Sequence, residues 1–297
     1  MILVADIGGT KIAAARADHV GTLCSEIIEA PTPSRADASA VVATTIELLR
    51  QLRTSHERAV AIATAGVVDS QAGSVLTATS SISGWAGTPL ATLLADHVGL
   101  PTWVLGDGNA FGVGLAAEHG VDSLVALIAG TGIGGSLIVG GAPLTGAHHA
   151  GGHFGHIVSP QAAGLACPCG STGHLEAVAS GHGILAWYHA NGGDPAVASS
   201  LELTQRSGDD LACAALATGG AALGAGAAAL VNALDPDLVA VCGSVAKAGA
   251  VWESALRTAY AQTLMPGLSH TPIVIAASGP ETALRGAAHY ALRRMNA

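Results

Sequence analysis

The sequence predicts an α/β protein of two lobes. Apolar runs of strand length alternate with helical stretches along the chain, the order expected of mixed α/β architecture. The series strand, glycine turn, strand opens the chain and restarts at Ser123. The 297 residues, half of them apolar and 11% charged, fit two globular domains and exclude a disordered polymer. A chain of this length buries roughly 75% of its unfolded surface and needs no disulfide staples.

Residues 2–7 read as a strand ending in Asp6-Ile7-Gly8-Gly9-Thr10-Lys11, and 12–17 as its hairpin partner across the Gly-Gly turn. Pro31 and Pro33 punctuate before a helix over 36–53, where Val41, Thr45, Leu48 and Leu52 share one face. A strand over 59–63 runs into Thr64-Ala65-Gly66. Residues 67–87 are loop-like, 90–97 a short helix, and 102–105 a strand ending at Gly106-Asp107-Gly108-Asn109 before a helix over 110–119. The second series has a strand over 124–128, the turn Gly130-Thr131-Gly132-Ile133-Gly134-Gly135, and a strand over 136–139. A His-rich loop, a Cys-Pro-Cys segment, several helices between 176 and 232, a strand over 238–242 and a helix from 281 complete the chain. The boundaries expected are 1–116 with 281–297 for a small lobe, and 117–280 for a large one. The repeated opening predicts an internal structural duplication.

A formal charge of −9, with Lys11 and Lys247 the only lysines, disfavours nucleic acid and anionic membranes as partners. The charge-free run 211–234 is Ala- and Gly-rich and lacks the Leu/Ile/Phe density of a spanning helix, so it reads as a buried, closely packed helix. The chain opens on a strand without a basic leader, and its five cysteines are irregularly spaced. Both features point to the reducing cytoplasm.

Each glycine turn brings successive backbone N–H groups towards one anion, of which phosphate is the obvious choice. A dinucleotide fingerprint is excluded at 130–135, because a strand follows and the next acidic residue is Glu176. No phosphate-binding Gly-x-x-x-x-Gly-Lys-Ser/Thr loop occurs. Asp107, flanked by glycines at a strand end, suits either a general base or a helix N-cap. Cys167 and Cys169, bracketed by His156 and His174, offer the thiolates and imidazoles of a tetrahedral Zn²⁺ site, with a metal-free loop as the alternative. His148 and His149 lie near enough in sequence to compete. Cys24, Cys213 and Cys242, in apolar segments, are expected to be inert core residues.

Taken jointly, Asp6-Ile7-Gly8-Gly9-Thr10-Lys11 and Gly130-Thr131-Gly132-Ile133-Gly134-Gly135 resemble the ROK family of sugar kinases, on the two-lobed actin-like ATPase (ribonuclease H-like) fold with an interlobe cleft. The resemblance implies that both turns contact ATP phosphates, that Asp6 helps hold Mg²⁺, and that Gly243 lies near the adenosine. Gly106-Asp107-Gly108-Asn109-Ala110 is similar to the family's Asn-Asp-Ala-Asn-Ala segment, whose Asp is the general base; Gly106 departs from it. Ser81-Ile82-Ser83-Gly84-Trp85 is similar to Asn-Leu-x-Gly-Trp, with Ser81 offering a shorter reach. The implied sugar contacts are Gly66, Ser81, Gly84, Asn109, His153, His156 and Glu176, with a first-turn acid favoured by its helix dipole as the alternative for the last.

Gly151-Gly152-His153-Phe154-Gly155-His156 stands where most members have Ala-Gly-Glu-x-Gly-His. It resembles the family's bacterial N-acetylmannosamine kinases of sialic acid catabolism, as does the stretch 167–181. An imidazole replacing an anionic acceptor changes the hydrogen bonds a sugar must offer. The family's metal set of one His and three Cys becomes Cys₂His₂ through His174, and the zinc implied is structural. The activity implied is ATP-dependent phosphorylation of the 6-hydroxyl of N-acetylmannosamine by a cytoplasmic homodimer. Glucokinase activity, a non-catalytic sugar-binding role and polyphosphate as donor are the alternatives.

Overall fold

A computed structural model of the chain describes residues 1–78, 81–206, 208–277 and 279–296. It divides into two compact units, Met1–Asp122 with Ile138–Gly151 and Gly279–Ala297, and Ser123–Leu137 with Gly152–Ser278. The return of Ile138–Gly151 to the first unit is absent from the expected boundaries, which cut the chain at 116/117 and 280/281 alone.

The chain runs in order through β1 (Ile2–Ile7), β2 (Lys11–Ala17), β3 (Ile28–Pro31), α1 (Ala38–Leu52), β4 (Ala59–Thr64), β5 (Val67–Asp69), β6 (Ser74–Thr77), α2 (Leu90–Val98), β7 (Thr102–Gly106) and α3 (Asp107–His119). There follow β8 (Leu124–Ala129), β9 (Ile133–Val139), β10 (Ala142–Pro143), α4 (Glu176–Ala179), α5 (Gly181–Ala190), α6 (Ser200–Leu203) and α7 (Asp210–Leu234). The last elements are β11 (Leu238–Cys242), α8 (Ala250–Thr263), β12 (Ile273–Ile275) and α9 (Pro280–Asn296).

The first unit is built on the sheet β3-β2-β1-β4-β7, a hairpin side followed by parallel strands. Alternate residues of a strand face opposite sides, and both sides here are covered. Leu3, Ala5 and Ile7 pack with Val41, Leu49 and Leu94 of α1 and α2, while Ile2 and Val4 pack with Leu284, Ala287 and Ala288 of α9. Two-sided burial explains why β1 is apolar throughout, interrupted only by Asp6 at its end. Helix α9 crosses α3 at glycine contacts. A Cβ on Gly286 would lie 1.7 Å from the Ala110 carbonyl oxygen, and one on Gly114 2.0 Å from that of Thr282.

The other five-stranded sheet has the order β10-β9-β8-β11-β12, with β8, β11 and β12 parallel and β10 antiparallel to β9. The same succession of a hairpin side and a parallel side recurs, as the expected duplication requires. In the second unit Val125, Leu127, Val239 and Val241 share a core with α7 and α8. By length and composition α7 is apolar enough to cross a membrane. Its glycines instead admit α8 closely: a Cβ on Gly220 or Gly224 would lie 2.3 or 2.1 Å from the carbonyl oxygens of Trp252 and Leu256.

Several elements depart from expectation. The loop-like 67–87 contains the β5–β6 hairpin, whose strands are too short to show a periodicity. Helix α3 starts at Asp107, and β9 starts at Ile133, so Gly134 and Gly135 are strand residues. Strands β3 and β12 and helix α8 carry no strong local signal. Cys24 is exposed and Cys213 half-buried, so of the three expected core thiols Cys242 alone is buried.

Candidate active site

In the first unit the expected residues converge on the carboxyl ends of β1, β4 and β7, where open parallel sheets hold ligands. Register sets Asp6 beside Ala63, and Thr64 beside Gly106. Gly66, with φ +107, turns the chain sharply after β4, and its carbonyl oxygen lies 3.5 Å from a Cβ position on Gly106. The Asn109 amide nitrogen approaches the same point at 3.7 Å, and a Cβ on Gly9 would lie 3.0 Å from that of Ser81. The loop carrying Ser81 and Gly84 is fastened by Trp85, whose buried indole N–H donates to Thr64 Oγ1 at 3.0 Å. Thr64 is absent from the expected site. A buried indole needs a hydrogen-bond partner, which was the available signal.

Two carboxylates dominate this end of the sheet. Burial and the neighbouring Asp107 charge push the Asp6 carboxyl up to about 7, against an opposing pull from Lys11. Asp107 is the first residue of α3 rather than its N-cap, which is Gly106. One Asp107 oxygen accepts from the Gly108 N–H at 2.7 Å. The residue has exposed surface, yet the protein massed around it raises its carboxyl above the usual range, outweighing the Gly108 bond. A pair of carboxylates in which one is raised by the other's charge is a place where a divalent cation fits. Lys11 extends to Glu29, 2.6 Å away.

The second unit gathers its own set. Among Gly8, Gly9, Gly130, Gly132 and Gly134 none has positive φ. At Gly132 the demand is for space: a Cβ there would sit 2.6 Å from Glu176 Oε2. The first N–H groups of α5, from Gly181 and His182, donate to the carbonyls of Gly130 and Thr131 at 2.8 and 3.2 Å. In a trans peptide the N–H points opposite to the C=O. The N–H groups of Thr131 and Gly132 are thereby turned away from α5, and neither has a partner among the described residues. The next N–H, of Ile133, donates to Glu176 Oε2 at 2.7 Å. Gly243, with φ +99, closes on Ala129, just ahead of Gly130. Turn and Glu176 thus meet, although they were assigned to different ligands.

His153 and His156 stack with ring centroids 6.3 Å apart, and His156 lies 5.3 Å from the ring of His174. The ligand atoms of His156, Cys167, Cys169 and His174 all lie within 4.8 Å of one another. Cys167 Sγ is 3.7 Å from His156 Nδ1, and Cys169 Sγ 3.2 Å from His174 Nδ1. A tight turn closes the thiols together, with the Gly170 N–H on the Cys167 carbonyl and the Cys167 N–H on that of Ser171. Burial pushes the Cys167 thiol up, while a backbone bond from Ser171 lowers that of the exposed Cys169. Two thiols and two imidazoles gathered so closely are a donor set that fits a four-coordinate zinc ion. His149 does not join the set; its Nε2 lies 3.8 Å from Asp69.

Comparison with known proteins gives the geometry a setting. Residues 2–294 match the model of the ROK family. The chain is 37% identical over 190 residues to the N-acetylmannosamine kinase of Citrobacter koseri, spanning 62% of this chain and 63% of that protein. Identity to the N-acetylmannosamine kinase of Shigella flexneri is 35% over 210 residues, 70% of this chain and 69% of that one. Among solved structures, the ROK hexokinase of Thermus thermophilus superposes with a TM-score of 0.87 at 29% identity, covering 100% of this chain and 99% of that chain. The ROK family glucokinase of Streptomyces griseus, in complex with glucose and AMPPNP, gives 0.72 at 30% identity, covering 97% and 98%.

Proposed function

The chain belongs to the ROK family, and on that premise we propose that it is an ATP-dependent kinase acting on the 6-hydroxyl of N-acetylmannosamine. The observation that carries the reading is the Asp6 and Asp107 pair, one near the end of β1 and the other just past the end of β7, with β4 between them and both carboxyls raised. Asp107 is the general base. Its Oδ1 is held by Gly108, and a raised carboxyl is the better proton acceptor once ionised. As the sugar oxygen bonds to the γ-phosphorus and the bond to ADP breaks, the hydroxyl proton passes to Asp107. Asp6 would hold Mg²⁺, which would supply charge neutralisation to the phosphates. Gly8, Gly9, Thr10 and Lys11, with Gly130, Thr131, Gly132, Gly134 and Gly243, hold the nucleotide through backbone N–H groups and close approach.

Gly66, Ser81, Gly84, Asn109, His153, His156 and Glu176 orient the sugar. His153 and the two N-acetylmannosamine kinase relatives favour an N-acetylhexosamine over glucose. The Streptomyces glucokinase supports glucose as the second reading. Zinc on His156, Cys167, Cys169 and His174 stiffens the loop between His153 and Glu176. A cytoplasmic homodimer belongs to the same reading.

A coupled ADP-release assay over hexoses and N-acetylhexosamines tests it. Turnover is expected to be fastest with N-acetylmannosamine, and Asp107→Asn is expected to lower it by ~10²–10⁴-fold while sparing sugar binding. Faster turnover with glucose overturns the substrate, and no sugar-dependent ADP release overturns the activity.

A further inference from the structure

Glu176 stands between the turn proposed for phosphate and the residues proposed for sugar. Its Oε2 accepts the Ile133 N–H at 2.7 Å and touches the space over Gly132, while Oε1 lies 3.9 Å from Cys167 Sγ. Immediately before Ile133 come Gly132 and Thr131, whose N–H groups are turned away from α5 and have no partner among the described residues. A run of backbone N–H groups of this kind is an anion site, and one anion, the Glu176 carboxylate, already sits at its end. A phosphate entering beside it meets a like charge a few ångströms away in a partly desolvated place, where repulsion is strong.

We infer that Glu176 is an internal anion that holds the nucleotide turn until sugar draws it off, so that sugar binding opens the turn to phosphate. The inference rests on the kinase reading above and concerns the order of binding at that same site. A sugar hydroxyl donating to the Glu176 carboxylate competes with the Ile133 N–H for the same oxygens. Once the carboxylate turns to the sugar, the Ile133 N–H joins those of Thr131 and Gly132 in facing an incoming phosphate, and the nearby negative charge is partly neutralised by hydrogen bonding. Without sugar, the carboxylate keeps nucleotide binding weak, which limits transfer of phosphate to water. The coupling is reciprocal, so nucleotide tightens sugar by the factor by which sugar tightens nucleotide.

Calorimetric titration with Mg²⁺ and AMPPNP tests it on the whole chain. Without sugar, Glu176→Gln is expected to bind AMPPNP ~10-fold more tightly than the wild type, and saturating N-acetylmannosamine to tighten the wild type by a similar factor. Equal or weaker AMPPNP binding by Glu176→Gln overturns the inference. Hydrogen exchange on the wild type needs no variant: N-acetylmannosamine alone is expected to speed exchange at the Ile133 amide, and unchanged or slower exchange overturns the inference. A wild type that binds no AMPPNP, with or without sugar, overturns the kinase reading itself.

Discussion

Asp6 is the penultimate residue of a strand that is otherwise wholly apolar, and its position costs stability in a pH-dependent way. Its carboxyl is raised from 3.8 to about 7, so the folded chain holds a proton that the unfolded chain has released. The sign follows directly. Its contribution is intact below pH about 4, declines as pH rises towards 7, and is gone above it, a loss of a few kcal/mol at ~1.4 kcal/mol per pH unit. The metal-free protein is therefore expected to melt at a lower temperature at pH 8 than at pH 5, and Asp6→Asn to flatten that dependence. A variant with the wild-type slope assigns the pH effect to other groups. At this scale the sequence was readable where chemistry is intrinsic to a residue type. Asp6 and Asp107 stand out as acids among apolar and glycine residues. That the first is raised by the second was not readable, because they are 101 positions apart and meet only through the pairing of β1, β4 and β7.

Among the elements, α3 and α9 depend on two glycines for their contact. A methyl group added at Gly286 would gain helix propensity, worth about 1 kcal/mol. It would also drive into the Ala110 backbone, where a Cβ has 1.7 Å. Overpacking against backbone wins, so Gly286→Ala is expected to destabilise by ~3 kcal/mol and lower the melting temperature by several degrees. Unchanged melting would mean that the helices separate freely. The long elements were legible: β1, β4, β8, β11, α1 and α9 each carry several apolar residues at one period. Strands β5, β6, β10 and β12, of two to four residues, were not, since so short a stretch forms for its neighbours' sake.

For the molecule as a whole, the gathering of His156, Cys167, Cys169 and His174 ties a loop that otherwise has few buried side chains. The proposed zinc site predicts about one zinc per chain by elemental analysis, lost with Cys169→Ser or on prolonged chelation, together with a fall in melting temperature of the kind that loss of a structural metal brings. A metal-free protein of unchanged stability would leave the four residues as a loop cluster only.

The sequence by itself determined the class of fold, the two glycine turns, the acids and the metal-ligand types, because each is a local property of period, composition or side-chain chemistry. Tertiary structure alone decided that Ile138–Gly151 returns to the first unit. It also decided that the turn at 130–134 faces its N–H groups away from α5, and that Glu176 fills the next one. These outcomes depend on which peptide groups and side chains, dozens of residues apart, come within hydrogen-bonding distance. No local pattern encodes that distance.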